Sequence, residues 1–339
     1  MNCELWEEKL KANMNKEAYL IEDLSKAEKT PTRDGFGKGL VDAGEKDDRV
    51  VVLCADLAES TRSHWFKEKF PDRYIELGVA EQNMATIAAG LANYGKIPFI
   101  TSYAVFSPGR NNEQIRTTIS LNNLPVKICG AHAGISVGPD GATHQALEDI
   151  ALMRVQPRMT VIVPCDAIEA RKATNASVLC CDGPVYLRFG REKSPVFTTE
   201  KTPFEIGKAI ILREGKDVTI IGCGMLLYNV LIAAEELSKE GIEATVINSH
   251  TVKPLDVTTI VNSVKETKAV VTVEEHQIAG GLGSAAAEVL SQHFPAPQEF
   301  VGVRDRFGES GEPDELVEAF GMGVKDIKAA ALRVIKRKA

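Results

Sequence analysis

Short apolar runs, rich in β-forming side chains, punctuate the chain at 50–55, 99–103, 126–129, 160–163 and 185–189. Such runs, without polar alternation, predict strands covered on both faces. Between them the apolar positions shift to helical spacing, at 34–44, 82–93, 112–120, 145–153 and 167–177. Buried strands alternating with helices predict a parallel sheet with helices on both sides. The stretch 192–205 breaks the rhythm: it is rich in Pro, Lys, Thr and Glu and has no period. A second alternation follows, with strands at 209–212, 218–221, 244–248, 269–273 and 299–303 and helices at 226–239, 256–264, 284–294, 314–320 and 324–336. The pattern therefore predicts an α/β protein of two doubly wound, mostly parallel-sheet domains, at 31–191 and 207–339, joined by a linker at 192–206. Ahead of them, residues 6–25 have amphipathic helical spacing that stops at Thr30-Pro31-Thr32, so residues 1–30 read as an exposed helical extension.

Composition narrows the classes of function. With 44% hydrophobic residues in 339, the chain has enough apolar material for two cores. Its formal charge of −7 is offset by no basic run beyond the Lys/Arg-rich C-terminal helix end, which argues against a nucleic-acid partner. The seven cysteines include no C-x-x-C pair and mostly sit in apolar runs, as reduced core residues of a cytoplasmic protein do. No apolar run approaches a membrane span, and the charged N-terminus lacks a signal-peptide core.

Open parallel sheets bind ligands beyond the carboxyl ends of their strands, so residues just after a strand matter most. Glu81, in Gly78-Val79-Ala80-Glu81-Gln82-Asn83-Met84, stands immediately before an apolar helix. A carboxylate there also complements the helix dipole, so alone it decides nothing. Tyr103 and Phe106 lie three apart where a strand runs into a loop, a spacing that core packing also explains. Together, an acid and two aromatic faces are what a flat heteroaromatic ring needs: a carboxyl to share a proton with a ring nitrogen, and surfaces to stack on. A second cluster, from Cys129 to Gln145, is a Gly- and Pro-rich loop carrying His132, Asp140 and His144. It has neither a one-turn helical His pair nor a cysteine cluster, so contact with a polar substrate fits better than a metal site.

These segments resemble the transketolase family. Gly78-Val79-Ala80-Glu81 is similar to its catalytic-glutamate segment, and Asp140-Gly141-Ala142-Thr143-His144-Gln145 to its D-G-P-T-H-Q with alanine for proline. Ala55-Asp56-Leu57-Ala58-Glu59-Ser60 and Gly190-Arg191 match two further motifs, in the family's order, and the similarity runs from about Thr32 to the end. The resemblance implies a pyrimidine-binding domain followed by the family's C-terminal domain, and the cofactor thiamine diphosphate. It implies Glu81 and His144 as catalytic, with Glu81 bonding the cofactor's aminopyrimidine. Leu57, Tyr103 and Phe106 would line the cofactor, Gly109 standing where the family has a third aromatic. Arg33, Ser60, His132 and Arg191 would grip the substrate phosphate, and Asp140 and His144 the sugar hydroxyls.

Full-length transketolases hold the cofactor's diphosphate through a metal bound by Gly-Asp-Gly and a later Asn. Here Arg33-Asp34-Gly35, Pro139-Asp140-Gly141 and Cys181-Asp182-Gly183 each lack the leading glycine. The resemblance thus implies a split enzyme. A separate N-terminal subunit would bind Mg2+ or another divalent ion, this chain would supply no metal ligand, and two such pairs would form a dimer of heterodimers acting on sugar phosphates. A 1-deoxyxylulose-5-phosphate synthase, a 2-oxoacid dehydrogenase β subunit and a non-catalytic regulatory or nucleotide-binding subunit are the alternatives. Gly222-Cys223-Gly224 and Gly280-Gly281-Leu282-Gly283 read as close-packing turns, and Glu274-Glu275-His276 as a sheet cap or an active-site rim.

Overall fold

The apolar runs do become strands, and they collect into two sheets in a computed structural model that describes residues 13–179 and 182–338. After β1 (Lys29–Pro31), the strands β2 (Val50–Cys54), β3 (Tyr74–Glu76), β4 (Ile97–Tyr103), β5 (Lys127–Ala131), β6 (Thr160–Ile162) and β7 (Val185–Arg188) lie parallel in the order β6-β7-β5-β4-β2-β3. β8 (Lys193–Pro195) returns antiparallel to β1. The second sheet uses β9 (Ile210–Arg213), β10 (Val218–Gly222), β11 (Ala244–Asn248), β13 (Val270–Gln277) and β14 (Gln298–Val303), in the order β14-β13-β10-β11-β9, with only β9 antiparallel. β12 (Thr251–Lys253) leaves this second unit and pairs antiparallel with β6, becoming the seventh strand of the first sheet.

Every residue of β2, β5, β7, β10 and β11 is buried, which is why these strands read as mainly apolar runs, and the polar exceptions, such as Lys127 and Arg188, are buried as well. One close helix contact sets the position of the candidate site. The helix Thr32–Lys46 packs on Ala167–Leu179 through Gly35 and Gly39, where a side chain would collide with the Ala167 carbonyl or with Thr174 and Arg171. That approach fixes Arg33 at the first turn of its helix.

Three expectations need correction. Of the helix expected over 6–25, residues 6–12 lie outside the described residues; from residue 13 on there are only two single turns, Lys16–Ala18 and Leu24–Lys26, before β1. Ala18 and Leu24 are buried against the second unit's core, so the apolar spacing reflects docking of an irregular segment. The stretch 192–205 contains β8, and its Phe197 and Thr198 amides donate to the buried Asp166 carboxylate at 3.0 and 2.8 Å. The helix expected at 145–153 begins only at Asp149 (Asp149–Arg154), because Gln145 turns inward.

Candidate active site

The loops that leave β2, β3, β4, β5 and β7 meet at the carboxyl edge of the first sheet. Glu76 joins two of them: its Oε1 accepts the amides of Asp56 at 2.8 Å, Leu77 at 3.1 Å and Gly78 at 3.2 Å. Asp56 takes a left-handed backbone, φ 61°, and the half-buried Leu57 follows it at the β2 exit. Glu81 starts the helix Glu81–Asn93 with its side chain 1% exposed. Its Oε2 accepts from Arg110 Nη1 at 2.7 Å, and its carbonyl accepts from Asn111 Nδ2 at 3.1 Å. The segment after β4 therefore wraps the glutamate from the far side.

Tyr103, at the last position of β4, is the centre of a ring stack. Phe106 lies 5.9 Å away at 18° and His132 3.9 Å away at 23°. His144 presents its edge to both Tyr103 and Phe106, at 6.1 and 5.6 Å. The Arg110 guanidinium sits 4.6 Å from the Phe106 centroid, a cation–π contact that holds it over the ring while it pairs with Glu81. Gly109 is bare for a reason: a side chain there would run into the Val105 carbonyl.

A cationic corner adjoins the stack. Arg33 Nη1 donates to the Ser60 carbonyl at 2.9 Å and lies 3.4 Å from His132 Nε2. Arginine only donates, so Nε2 accepts and the imidazole proton belongs on Nδ1. Burial, then Arg33 and Arg191, push His132 down to about 3, so it meets any ligand as a neutral donor rather than as a cation. Burial and the neighbouring Arg62 likewise lower Arg33. Among the described residues, His132 Nδ1 and Arg33 Nε are buried without a hydrogen-bond partner.

Arg191 follows β7, where its Nη1 donates to the Val137 carbonyl at 2.7 Å and lies 4.0 Å from Asp140. Asp140 itself is exposed. Thr143 Oγ1 and His144 Nδ1 are 2.9 Å apart. The structure thus brings Glu81, Tyr103, Phe106, His132 and His144 together, sets Arg33 and Ser60 beside His132, and extends Arg191 from the β7 exit onto the loop that carries Asp140. Leu57 sits on the neighbouring turn. Among the described residues, no group of three or more His, Cys, Asp and Glu side chains is placed to hold a metal ion, and no helix is long and apolar enough to cross a membrane.

Sequence reasoning missed Arg110 and Arg62. Arg110 follows a Ser-Pro-Gly turn and has no periodic context; only its distance of four residues from Phe106 hinted at a shared site. Arg62 pairs with Asp34 at 2.6 Å and adds charge behind Arg33. Glu274, Glu275 and His276 are buried within β13. The Glu274 carboxylate accepts the Leu282 and Gly283 amides at 2.7 and 2.8 Å, capping the helix Leu282–His293. A side chain at Gly281 would collide with that carboxylate, so the Gly280 to Gly283 segment is a close-packing turn.

Comparison with known proteins gives a consistent picture. Residues 28–196 match the family model for the transketolase pyrimidine-binding domain and residues 207–327 the model for the transketolase C-terminal domain. The chain is 44% identical, over 90% of its length and 95% of the relative's, to 6-deoxy-6-sulfo-D-fructose transketolase subunit SqwH of Clostridium sp. (strain MSTE9). It is 37% identical to human transketolase, covering 92% of this chain but 50% of that protein. Among solved structures, a split-gene transketolase described as an inactive β4 tetramer superposes with a TM-score of 0.86 at 45% identity, covering 91% of this chain and 99% of that one.

Proposed function

Because the chain belongs to the transketolase family, we propose that it is the pyrimidine-side subunit of a two-chain, thiamine-diphosphate-dependent transketolase. It would transfer a two-carbon ketol unit from a ketose phosphate to an aldose phosphate. The observation that carries the reading is the sealed Glu81 carboxylate beside the Tyr103, Phe106 and His132 stack, with Arg33 immediately beyond. A buried acid next to ring faces fits an aminopyrimidine, and the unpartnered Arg33 Nε and His132 Nδ1 fit a multi-oxygen anion.

Thiamine diphosphate, when bound, supplies a thiazolium carbon able to store the charge left as a carbon–carbon bond breaks. Glu81 holds the proton shared with the pyrimidine nitrogen, and Arg110 fixes the orientation of its carboxylate. Tyr103 and Phe106 would offer ring faces to the pyrimidine, and Leu57 would offer an apolar contact from the neighbouring turn. His144 and Asp140 bond sugar hydroxyls, where an unmatched partner would leave polar groups unpaired. Arg33, Arg191, Ser60 and neutral His132 orient the phosphate. The Clostridium relative is named for a sulfonated sugar, and the same forked donors suit a sulfonate.

Magnesium and the diphosphate belong to an N-terminal subunit, with two such pairs forming the working assembly. The test is a two-carbon transfer assay on the purified chain, alone and with the candidate N-terminal subunit, using a pentulose phosphate donor and a pentose phosphate acceptor. Activity only in the mixture supports the reading. Turnover by the single chain, or none in the mixture with thiamine diphosphate and magnesium present, would sink it.

A further inference from the structure

The loop that carries the substrate-side residues is held by side chains from both units. Gln145 Nε2 donates to the carbonyls of Ile135 at 3.0 Å and Gly138 at 3.4 Å, and Arg191 takes the Val137 carbonyl. From the second unit, Glu275 Oε1 accepts the Ser136 amide at 2.5 Å. Glu275 belongs to β13, in the second sheet. It is 5% exposed, and its carboxylate fills the space beneath Gly134, whose φ of 94° and lack of a side chain let the loop close over it.

Glu275 is itself held rigidly. Its carbonyl accepts from Arg188 Nη2 at 2.9 Å, and Arg188 Nε pairs with the buried Asp149 at 2.7 Å. Asp149 also accepts the Tyr186 hydroxyl at 2.6 Å. A second strut runs beside this one. Gln145 Nε2 also reaches the Glu309 carbonyl at 2.9 Å, and Gly308 leaves room for the Gln145 carboxamide. The second unit thus grips the loop at Ser136 and at Gln145, on either side of Asp140.

Resting on the transketolase reading above, we propose that Glu275 is a positioning residue for substrate: it bolts the 134–141 loop to the second unit and so sets affinity for the sugar phosphate. The physical argument is one of ordering. Without an acceptor for a buried amide, the loop gains alternative positions, and substrate must re-order it on binding. The cost then falls on KM. Chemistry at the cofactor, carried by Glu81 on a different loop, is spared.

The experiment uses the assembled two-chain enzyme with Glu275→Ala, Glu275→Asp and Glu275→Gln. Glutamine keeps the acceptor oxygen at the same reach, whereas aspartate keeps the charge but falls short of the Ser136 amide. We expect Glu275→Asp and Glu275→Ala to raise KM for the ketose phosphate about ten-fold with kcat within about two-fold of wild type, and Glu275→Gln to restore wild-type KM. Should the alanine variant not fold, the aspartate variant carries the same comparison. Hydrogen exchange reads the bolt without any turnover assay: amides of residues 134–141 should exchange about ten-fold faster in Glu275→Asp than in wild type. Unchanged KM together with unchanged exchange in Glu275→Asp overturns the proposal, as does a kcat loss that glutamine fails to restore. Faster exchange in an assembly whose wild type transfers no ketol unit would count against the functional reading and not against the bolt.

Discussion

Arg110 Nη1 and Glu81 Oε2 are 2.7 Å apart in a lopsided ion pair: the arginine side chain is 45% exposed, the glutamate 1%. The buried partner depends on the exposed one, because only Glu81 loses its hydration. Arg110→Met, which keeps length and removes charge, should therefore destabilise the chain by about 1–2 kcal/mol, less than a fully buried pair would cost because water screens Arg110. Urea unfolding at neutral pH measures this. A variant as stable as wild type would mean that Glu81 is compensated by something other than Arg110.

Glu81→Gln separates chemistry from folding. The amide oxygen can still accept from Arg110, but no acid remains to share a proton, so kcat of the assembled enzyme should fall at least ~100-fold. Unfolding free energy should stay within about 1.5 kcal/mol of wild type. Turnover near wild type would remove Glu81 from the proton path.

Arg191→Ala tests the anion corner. Loss of a forked donor should raise KM about ten-fold for phosphorylated sugars while leaving unphosphorylated ones nearly unaffected. Equal losses on both would show that Arg191 matters only as the anchor of the Val137 carbonyl.

Acid stability follows from two buried imidazoles. His132 and His250 are both lowered from 6.5 to about 3, by burial in each case and for His132 also by nearby arginines. A histidine whose folded value is depressed contributes nothing against unfolding below that value and its full share above 6.5, so stability falls as pH drops through this window. Glu169 works in the opposite sense. Burial, then Asp166, raises it from 4.5 to about 7, so its share is full below 4.5 and lost as pH rises through 7. The gain that the two histidines give between about pH 5 and 7.5 is reduced by Glu169 and by Glu235, Glu274 and Glu275, which burial also raises. Urea titrations at both pH values check the sign: Glu169→Gln should enlarge the gain and His250→Gln shrink it. A gain unaltered in both variants would refute this assignment.

The parallel strands and the order of the motifs were legible because each is written locally. A strand covered on both faces, such as Val50–Cys54, reads as a continuous apolar run, and in Val185–Arg188 the one charge, Arg188, is matched by the buried Asp149. β3 was not legible: it is short and half exposed after a Pro-Asp-Arg turn, so it offers neither a run nor an alternation. Glu81, Tyr103 and His132 could be picked out because they follow strands or sit beside glycines. Arg110 and Glu275 act through partners far along the chain, and no local pattern records such a pairing. The segment before β1 misled for a related reason, since Ala18 and Leu24 owe their burial to the second unit's core and not to a helix of their own.

The strand β12 bears on how the polypeptide matures. During synthesis β6 is delivered well before Thr251–Lys253, and until that segment arrives the amides and carbonyls on its outer side have no strand to pair with. The closing contacts are long-range: Thr251 pairs with Ile162, Lys253 with Val161, and the Val163 amide donates to the His250 carbonyl at 2.7 Å. A nascent chain or a proteolytic fragment ending near residue 206 thus carries an open β-edge, the kind of surface that recruits a like strand from another molecule. The fragment should precipitate through that edge where the whole chain, with β12 in place, does not, so the first sheet is finished only by a segment of the second half.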